Sequence, residues 1–342
     1  MATGIGSVPF TAVEDTCRGI LKDFPRIPYW PQFVQRSHLE DMILQFSEGL
    51  PLLTLSKERR ALVIPTDAQR EAALVAFYEH YMARDLDHFA ISRDHAPGLH
   101  TLLDLLSKED PSQGFVKGQT VGPLTFAAGV MGADGKALLH DPELLEAMAS
   151  GLAIKALWQV RQLAGSGRKP ILFLDEPYLS GFGSAFSPIQ RREVIRILRK
   201  VMGDIRASAE VLIGIHCCGN TDWSMLLEAG PDIINFDAFD YAEPFLLYRE
   251  EIVRFLGDGG FIAWGIVPTA NLSGRETLEG LSLKLKRGLE EVSGWGLDPA
   301  LLEDRSLLTP SCGMGTMNPE DAASCVRLLA GLSKHCAEQR TR

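Results

Sequence analysis

The feature that most restricts this chain is a recurrence of short, apolar, β-rich runs separated by stretches that carry helix signals. Such runs lie at Ile5–Val8, Ile27–Phe33, Phe115–Val121, Ile171–Leu174, Val211–His216, Ile233–Phe236, Phe261–Ile266 and Leu307–Thr309. Ile171-Leu172-Phe173-Leu174 is apolar at every position, the mark of a parallel strand covered on both faces. Strand–helix units repeated in this way through 342 residues predict an α/β chain folded as a (β/α)8 TIM barrel. An open dinucleotide-binding sheet is disfavoured, because no Gly-x-Gly-x-x-Gly turn follows any run.

Helix boundaries support the alternation. Asp141-Pro142-Glu143 is an N-cap followed by proline at the first helical position, and Gly165-Ser166-Gly167 stops that helix near Ala164. Ser187-Pro188 opens another, with Ile189, Val194, Ile195 and Leu198 at helical spacing, and Asn318-Pro319-Glu320 opens the last. Residues 34–114 read as a helical insertion between strands two and three. There Thr66-Asp67 precedes a Leu74, Phe77, Tyr78, Tyr81, Met82 stripe, which either packs an inserted layer or roofs the barrel mouth. No repeat or linker divides the chain, so 1–342 reads as a single barrel domain.

The composition is 46% hydrophobic and 23% charged, enough to build a full core without disulfides. A net charge of −10 disfavours a nucleic-acid or anionic-membrane surface. No apolar run reaches the ~18 residues of a membrane span, and the first residues lack the regions of a signal peptide. A cytoplasmic location is expected. The six cysteines are too unevenly placed for a disulfide framework, which turns attention to metal binding or catalysis.

In such barrels the chemistry collects at the C-terminal ends of the strands. Those ends supply Ser7, Gly122-Pro123-Leu124-Thr125, Asp175-Glu176-Pro177, His216-Cys217-Cys218, Asp237 and Cys312-Gly313. Strand alternation puts His216 and Cys218 on one face and Cys217 on the other. His-x-Cys alone reads as core. With Cys312 at the end of the last strand it becomes a nitrogen–sulfur donor set suited to Zn²⁺, with a coordination position open. Cys17, Cys325 and Cys336 read as small buried residues. Asp175 and Glu176 suit either a substrate amine or a helix cap. Asp237 suits either a fourth metal ligand or a loop carboxylate that holds backbone N–H groups.

Ile5-Gly6-Ser7, Gly122-Pro123-x-Thr125, Asp175-Glu176-Pro177, His216-x-Cys218, Asp232-Ile-Ile-Asn-Phe-Asp237 and Cys312-Gly313 occur in the order found in the catalytic barrel of cobalamin-independent methionine synthase. The chain resembles that family, and its His216-Cys-Cys-Gly-Asn-Thr221 stretch also resembles methylcobamide:thiol methyltransferases of the uroporphyrinogen-decarboxylase-like group. The resemblance implies zinc on His216, Cys218 and Cys312, with Asp237 where the synthases place a glutamate ligand. It further implies that Ser7 contacts an acidic group of a thiol substrate and that Asp175 faces its amine, with Thr125 and Glu176 in the same substrate site.

The chain departs from the synthase pattern at several places. Arg36 stands where a glutamate grips the homocysteine amine, and a guanidinium attracts carboxylate, sulfonate or phosphate instead. Thr125 is followed by Phe126-Ala-Ala without the tryptophan that stacks on folate, and Ile266-Val267-Pro268 replaces a histidine region. The folate-binding N-terminal barrel of the synthases has no counterpart in this sequence. These departures imply a methylcobalamin-type corrinoid donor, carried by a corrinoid protein, in preference to a methyl-folate.

Coordination to Zn²⁺ deprotonates a thiol whose free pKa is about 8.5. The expected activity is therefore zinc-dependent S-methylation of homocysteine or another small acidic thiol. Two other readings stand beside it. One is a metal-free decarboxylase of the uroporphyrinogen type, for which the N-terminal strand lacks the basic cluster. The other is a non-catalytic barrel that binds a thiol or a corrinoid.

Overall fold

The computed structural model describes residues 1–56, 61–64, 69–108, 114–182, 189–270 and 272–340. In chain order the first half holds α1 (Val13–Asp23), β1 (Thr54–Ser56), β2 (Ala61–Ile64), α2 (Arg70–Met82), α3 (Pro97–Leu106), β3 (Phe115–Val121), α4 (Pro123–Gly129), β4 (Met131–Gly132) and α5 (Pro142–Ala164). The second half holds β5 (Lys169–Asp175), α6 (Arg191–Arg206), β6 (Leu212–Cys217), α7 (Trp223–Ala229), β7 (Ile233–Phe236), α8 (Ala242–Leu246) and α9 (Arg249–Gly257). It ends with β8 (Phe261–Val267), α10 (Leu278–Ser293), α11 (Pro299–Asp304), β9 (Ser306–Pro310) and α12 (Pro319–Arg340).

β3, β5, β6, β7, β8 and β9 form one curled, all-parallel sheet in that order. All six coincide, within a residue or two, with runs expected to be strands. The expected helix signals also hold at their ends. Asp141 Oδ1 accepts from Leu144 N ahead of α5, and Asn318 Oδ1 accepts from Asp321 N ahead of α12. Ser187-Pro188 lies outside the described residues, and the helix expected after it is α6.

The two remaining expected strands appear as segments held by single parallel bridges. Ala2 bridges Leu308, Ser7 bridges Gln32, and Tyr29 bridges Lys117. Thr3 N donates to Leu308 O (3.0 Å), Val8 N to Gln32 O (2.9 Å) and Lys117 N to Pro28 O (2.8 Å). A longer ladder is prevented in part by Pro28 and Pro31, which have no N–H to give.

Alternation along the strands sorts the core into two faces. Leu172, Leu174, Ile213, Ile215, Ile234 and Ile262 belong to the large core shared with the helices. Ile171, Phe173, Ile233, Ala263 and Leu307 join Ile27 in a separate cluster on the concave face.

The segment between residues 34 and 114 is mixed, where an all-helical insertion was expected. β1 pairs antiparallel with β2, and β2 pairs parallel with β4. The buried Leu62 and Ile64 carry a period-two signal too short to stand out beside the helical stripe of α2. Of that stripe, Leu74 and Phe77 are buried, while Met82 is 78% exposed. Thr66-Asp67 lies outside the described residues. Among the described residues no helix is long and apolar enough to cross a membrane.

Candidate metal centre

His216 ends the inward-facing row of β6, Cys218 follows it by one alternation, and Cys312 follows β9. One ligand atom from each lies within 4.8 Å of the others, and this is the one such group of three or more His, Cys, Asp or Glu found among the described residues. His216 is 2% exposed.

The orientation of the imidazole follows from its neighbours. Asn235 Nδ2 donates to Ala263 O (2.8 Å) and Thr309 Oγ1 (2.9 Å), which turns the amide oxygen toward His216. His216 Nδ1 lies 2.5 Å from that oxygen. An amide oxygen can only accept, so Nδ1 carries the proton and Nε2 presents its lone pair to the cysteines. This is the usual way in which an outer hydrogen bond selects the ligating nitrogen of a histidine.

The sulfurs are electrostatically tied. A hydrogen bond from Cys312 lowers the Cys218 thiol pKa, with further help from His216 against the effect of burial. The same hydrogen bond and burial raise Cys312. Burial opposes the imidazolium of His216, but Cys218 and Asp175 raise it overall. Of the two sulfurs, Cys218 is thus the one whose thiolate its neighbours favour.

Asp175 closes the neighbouring strand, in register with His216. It is 4% exposed, and its Oδ1 is buried with no hydrogen-bond partner. Burial raises its pKa, while His216 and Lys117 pull it back. Glu176 points elsewhere. Its carboxylate accepts from Leu124 N (3.0 Å), Thr125 N (2.8 Å) and Thr125 Oγ1 (2.7 Å), which caps the start of α4. Gly122 is required at this corner, since a Cβ there would sit 2.1 Å from the Glu176 carboxyl carbon. Thr125 Oγ1 also accepts from Tyr178 N, so both side chains are committed to this lock.

Asp237 stands outside the three-residue group. Its Oδ1 accepts from Phe239 N (2.9 Å) and Asp240 N (3.0 Å) as a loop carboxylate does, and burial lifts its pKa to about 6. Ser7 lies directly against the Cys312 loop. Its carbonyl accepts from Met314 N (2.9 Å), its Oγ accepts from Gly315 N (3.3 Å), and a Cβ on Gly313 would fall 2.2 Å from that Oγ. Gln35 Nε2 donates to Gly315 O (3.0 Å) on the same loop. The adjacent Arg36 pairs with the fully buried Glu40 at 3.3 Å.

No protein-family profile matches the sequence, and no curated protein matches it. A solved structure does. A B12-independent methionine synthase from Shewanella sp. W3-18-1, in complex with selenomethionine, aligns over 100% of this chain and 99% of its own, with 16% identity and a TM-score of 0.60. The chain shares that fold. The methionine synthase-like resemblance read from six short motifs thus meets a match of architecture along the whole chain. A Bacteroides fragilis protein described as a candidate α-galactosidase covers 74% of this chain and 56% of its own at 12% identity, and its TM-score of 0.28 gives it no bearing on fold or function.

Sequence reasoning passed over two residues of this site. Asn235 sits inside the Asp232–Asp237 motif, and Lys117 sits inside an otherwise buried strand. In both cases the signal was a polar residue at an inward position of an apolar run.

Proposed function

We propose that the chain is a zinc-dependent methyltransferase acting on the sulfur of a small thiol. In this reading the 2–8 and 27–33 segments complete the six-stranded sheet to an eight-stranded barrel. The observation that carries it is the His216, Cys218 and Cys312 donor set at the strand ends. The fold shared with a methionine synthase crystallised with selenomethionine supports it.

The residues fit the metal. Two sulfurs and one imidazole nitrogen suit Zn²⁺ and leave a fourth position for a substrate sulfur. Bound there, zinc would act as a Lewis acid that holds the thiol in its nucleophilic, deprotonated form. The remaining work falls to the protein. Asp175 offers its unpartnered Oδ1 to a substrate ammonium, whose charge would favour the ionised carboxyl. Ser7 borders the Cys312 loop, Arg36 follows the Gln35 that bonds to it, and the two would receive the acidic end of the thiol. Thr125 and Glu176 hold the corner from which Asp175 projects. Asp237 adds negative charge beside Cys218. Free cysteines of this kind suit a reducing, cytoplasmic setting.

The sequence departures favour a methylcorrinoid donor, whereas the matched synthase is B12-independent. Metal analysis and X-ray absorption with and without homocysteine test the core of the proposal. A new zinc–sulfur bond on adding the thiol is expected. Purified protein without stoichiometric zinc, or zinc retained after Cys312→Ala, would sink it. Parallel assays with methylcobalamin and methyltetrahydrofolate then separate the donors.

A further inference from the structure

Cys312 lies between two anchors of its loop. On one side, Ser311 N donates to Val267 O at 2.8 Å and Ser311 Oγ accepts from Thr269 N at 3.1 Å, which joins the loop to the end of β8. On the other side, Met314 N and Gly315 N reach Ser7, two and three residues beyond the cysteine. The first anchor continues the main sheet. The second depends on a segment that the sheet holds by single bridges.

A side chain from a third part of the chain completes the second anchor. Gln35 Nε2 donates to Gly315 O at 3.0 Å and to Met317 O at 3.3 Å, across 280 and 282 positions of sequence. An amide nitrogen has two N–H groups to give, and both end on this loop. Gly315 is thus held at its N–H by Ser7 and at its C=O by Gln35. The approach is close: a Cβ on Gly315 would fall 2.5 Å from Val34 Cγ2 and 3.1 Å from Ser7 Cβ. Gln35 itself stands on a closed turn. Arg36 N donates to Phe33 O at 2.8 Å, and the buried Glu40 carboxylate accepts from Phe33 N at 2.9 Å. Gln35 is exposed, and two neutral hydrogen bonds at a wet surface add little to global stability. What they fix is the path of the loop that starts at Cys312.

We propose that Gln35 is a positioning residue for Cys312. By holding Gly315 and Met317 it keeps the third candidate donor within reach of His216 and Cys218. It acts through the loop alone. The inference rests on the methyltransferase reading for what Cys312 holds, and its test keeps the two apart.

Metal-free wild type, Gln35→Ala and Gln35→Met are compared by hydrogen exchange with mass spectrometry. All three are then titrated with cobalt(II) and followed by sulfur-to-cobalt charge-transfer absorption. Methionine keeps the length of the side chain without an N–H or a charge, so the two variants should behave alike. Both should exchange faster than wild type in residues 312–317 and at the wild-type rate in β8 and β9. Their melting temperatures should stay within about 2 °C of wild type. Cobalt affinity should fall about fivefold in each, the effect expected of losing two neutral hydrogen bonds. Unchanged exchange in 312–317, unchanged cobalt affinity, or wild-type behaviour of Gln35→Met overturns the inference. A wild type that takes up no cobalt counts against the methyltransferase reading, and the exchange rates, taken without metal, still judge Gln35.

Discussion

Along the concave face, the lower and upper halves of the same strands are filled by opposite chemistries. Ile171, Phe173, Ile233, Ala263 and Leu307 close the lower half as an apolar plug with Ile27, interrupted only on β3, where Lys117 and Gln119 stand in register with Ile171 and Phe173. One alternation further up the same strands stand Asp175, Asn235 and Thr309, with His216 in register between the first two. The convex face shows no such change and remains apolar along its length. Apart from a register shift between Gly265 and Val267 the strands pair regularly through both halves, so the difference lies chiefly in the side chains. The lower half gives the strands their positions, and those positions bring three candidate ligands together from the ends of β6 and β9.

Substitutions on the two sides of this divide should separate binding from stability. The largest effect is expected from Cys312→Ala. It should abolish zinc binding and reduce methyl transfer below detection while leaving the circular dichroism spectrum unchanged, as metal analysis and a thiol methylation assay would show. Ile233→Ala should do the reverse. Truncation of a fully buried isoleucine costs about 2–5 kcal/mol, read by urea unfolding, with zinc still bound in the native protein. Equal loss of metal and stability in both variants would break the comparison.

A pH prediction follows from the lock beside the site. Burial lifts the Glu176 carboxyl to about 7 against the hydrogen bonds from Thr125 and Leu124. A carboxyl raised on folding contributes stability that is complete below its unfolded pKa of ~4.5 and is lost as pH rises through the folded value. The metal-free protein should therefore lose about 3 kcal/mol from this group between pH 4.5 and 7. Glu176→Gln should flatten that slope in unfolding curves taken across the range.

Asn235→Ala frees the imidazole tautomer without touching a ligand. It is expected to weaken zinc binding by about 10–100-fold, measured by competition with a chelator. The smallest effect belongs to Arg36→Ala. The guanidinium is partly exposed and Glu40 can take up a proton, so stability should change by about 1 kcal/mol or less. A KM for acidic thiols that rises while the KM for neutral thiols holds would place Arg36 in substrate recognition.

Much of the site was legible before the fold was seen, because it rests on local rules. His216 and Cys218 share a face through the period of a strand, and glycines mark where the chain must turn closely at Gly122 and Gly313. What was not legible depends on partners remote in the chain. Glu176 and Thr125 are separated by 51 positions, and nothing local says that they bond to each other before any substrate. The pairing of β1 with β2 was hidden because runs so short carry little periodicity. Asp237 reads two ways in the sequence, and that its Oδ1 holds Phe239 N and Asp240 N is visible only in the fold.

By itself, the sequence determined the six strands of the main sheet, the faces they present and three candidate metal donors, since residue type and a two-residue period need no distant contact. Only the tertiary structure decided that Asn235 sets the histidine tautomer, that Glu176 is spent on a helix start, and that a lysine lies buried beneath the cluster. Each of these depends on which strand ends become neighbours, and that is settled by the packing of the whole chain.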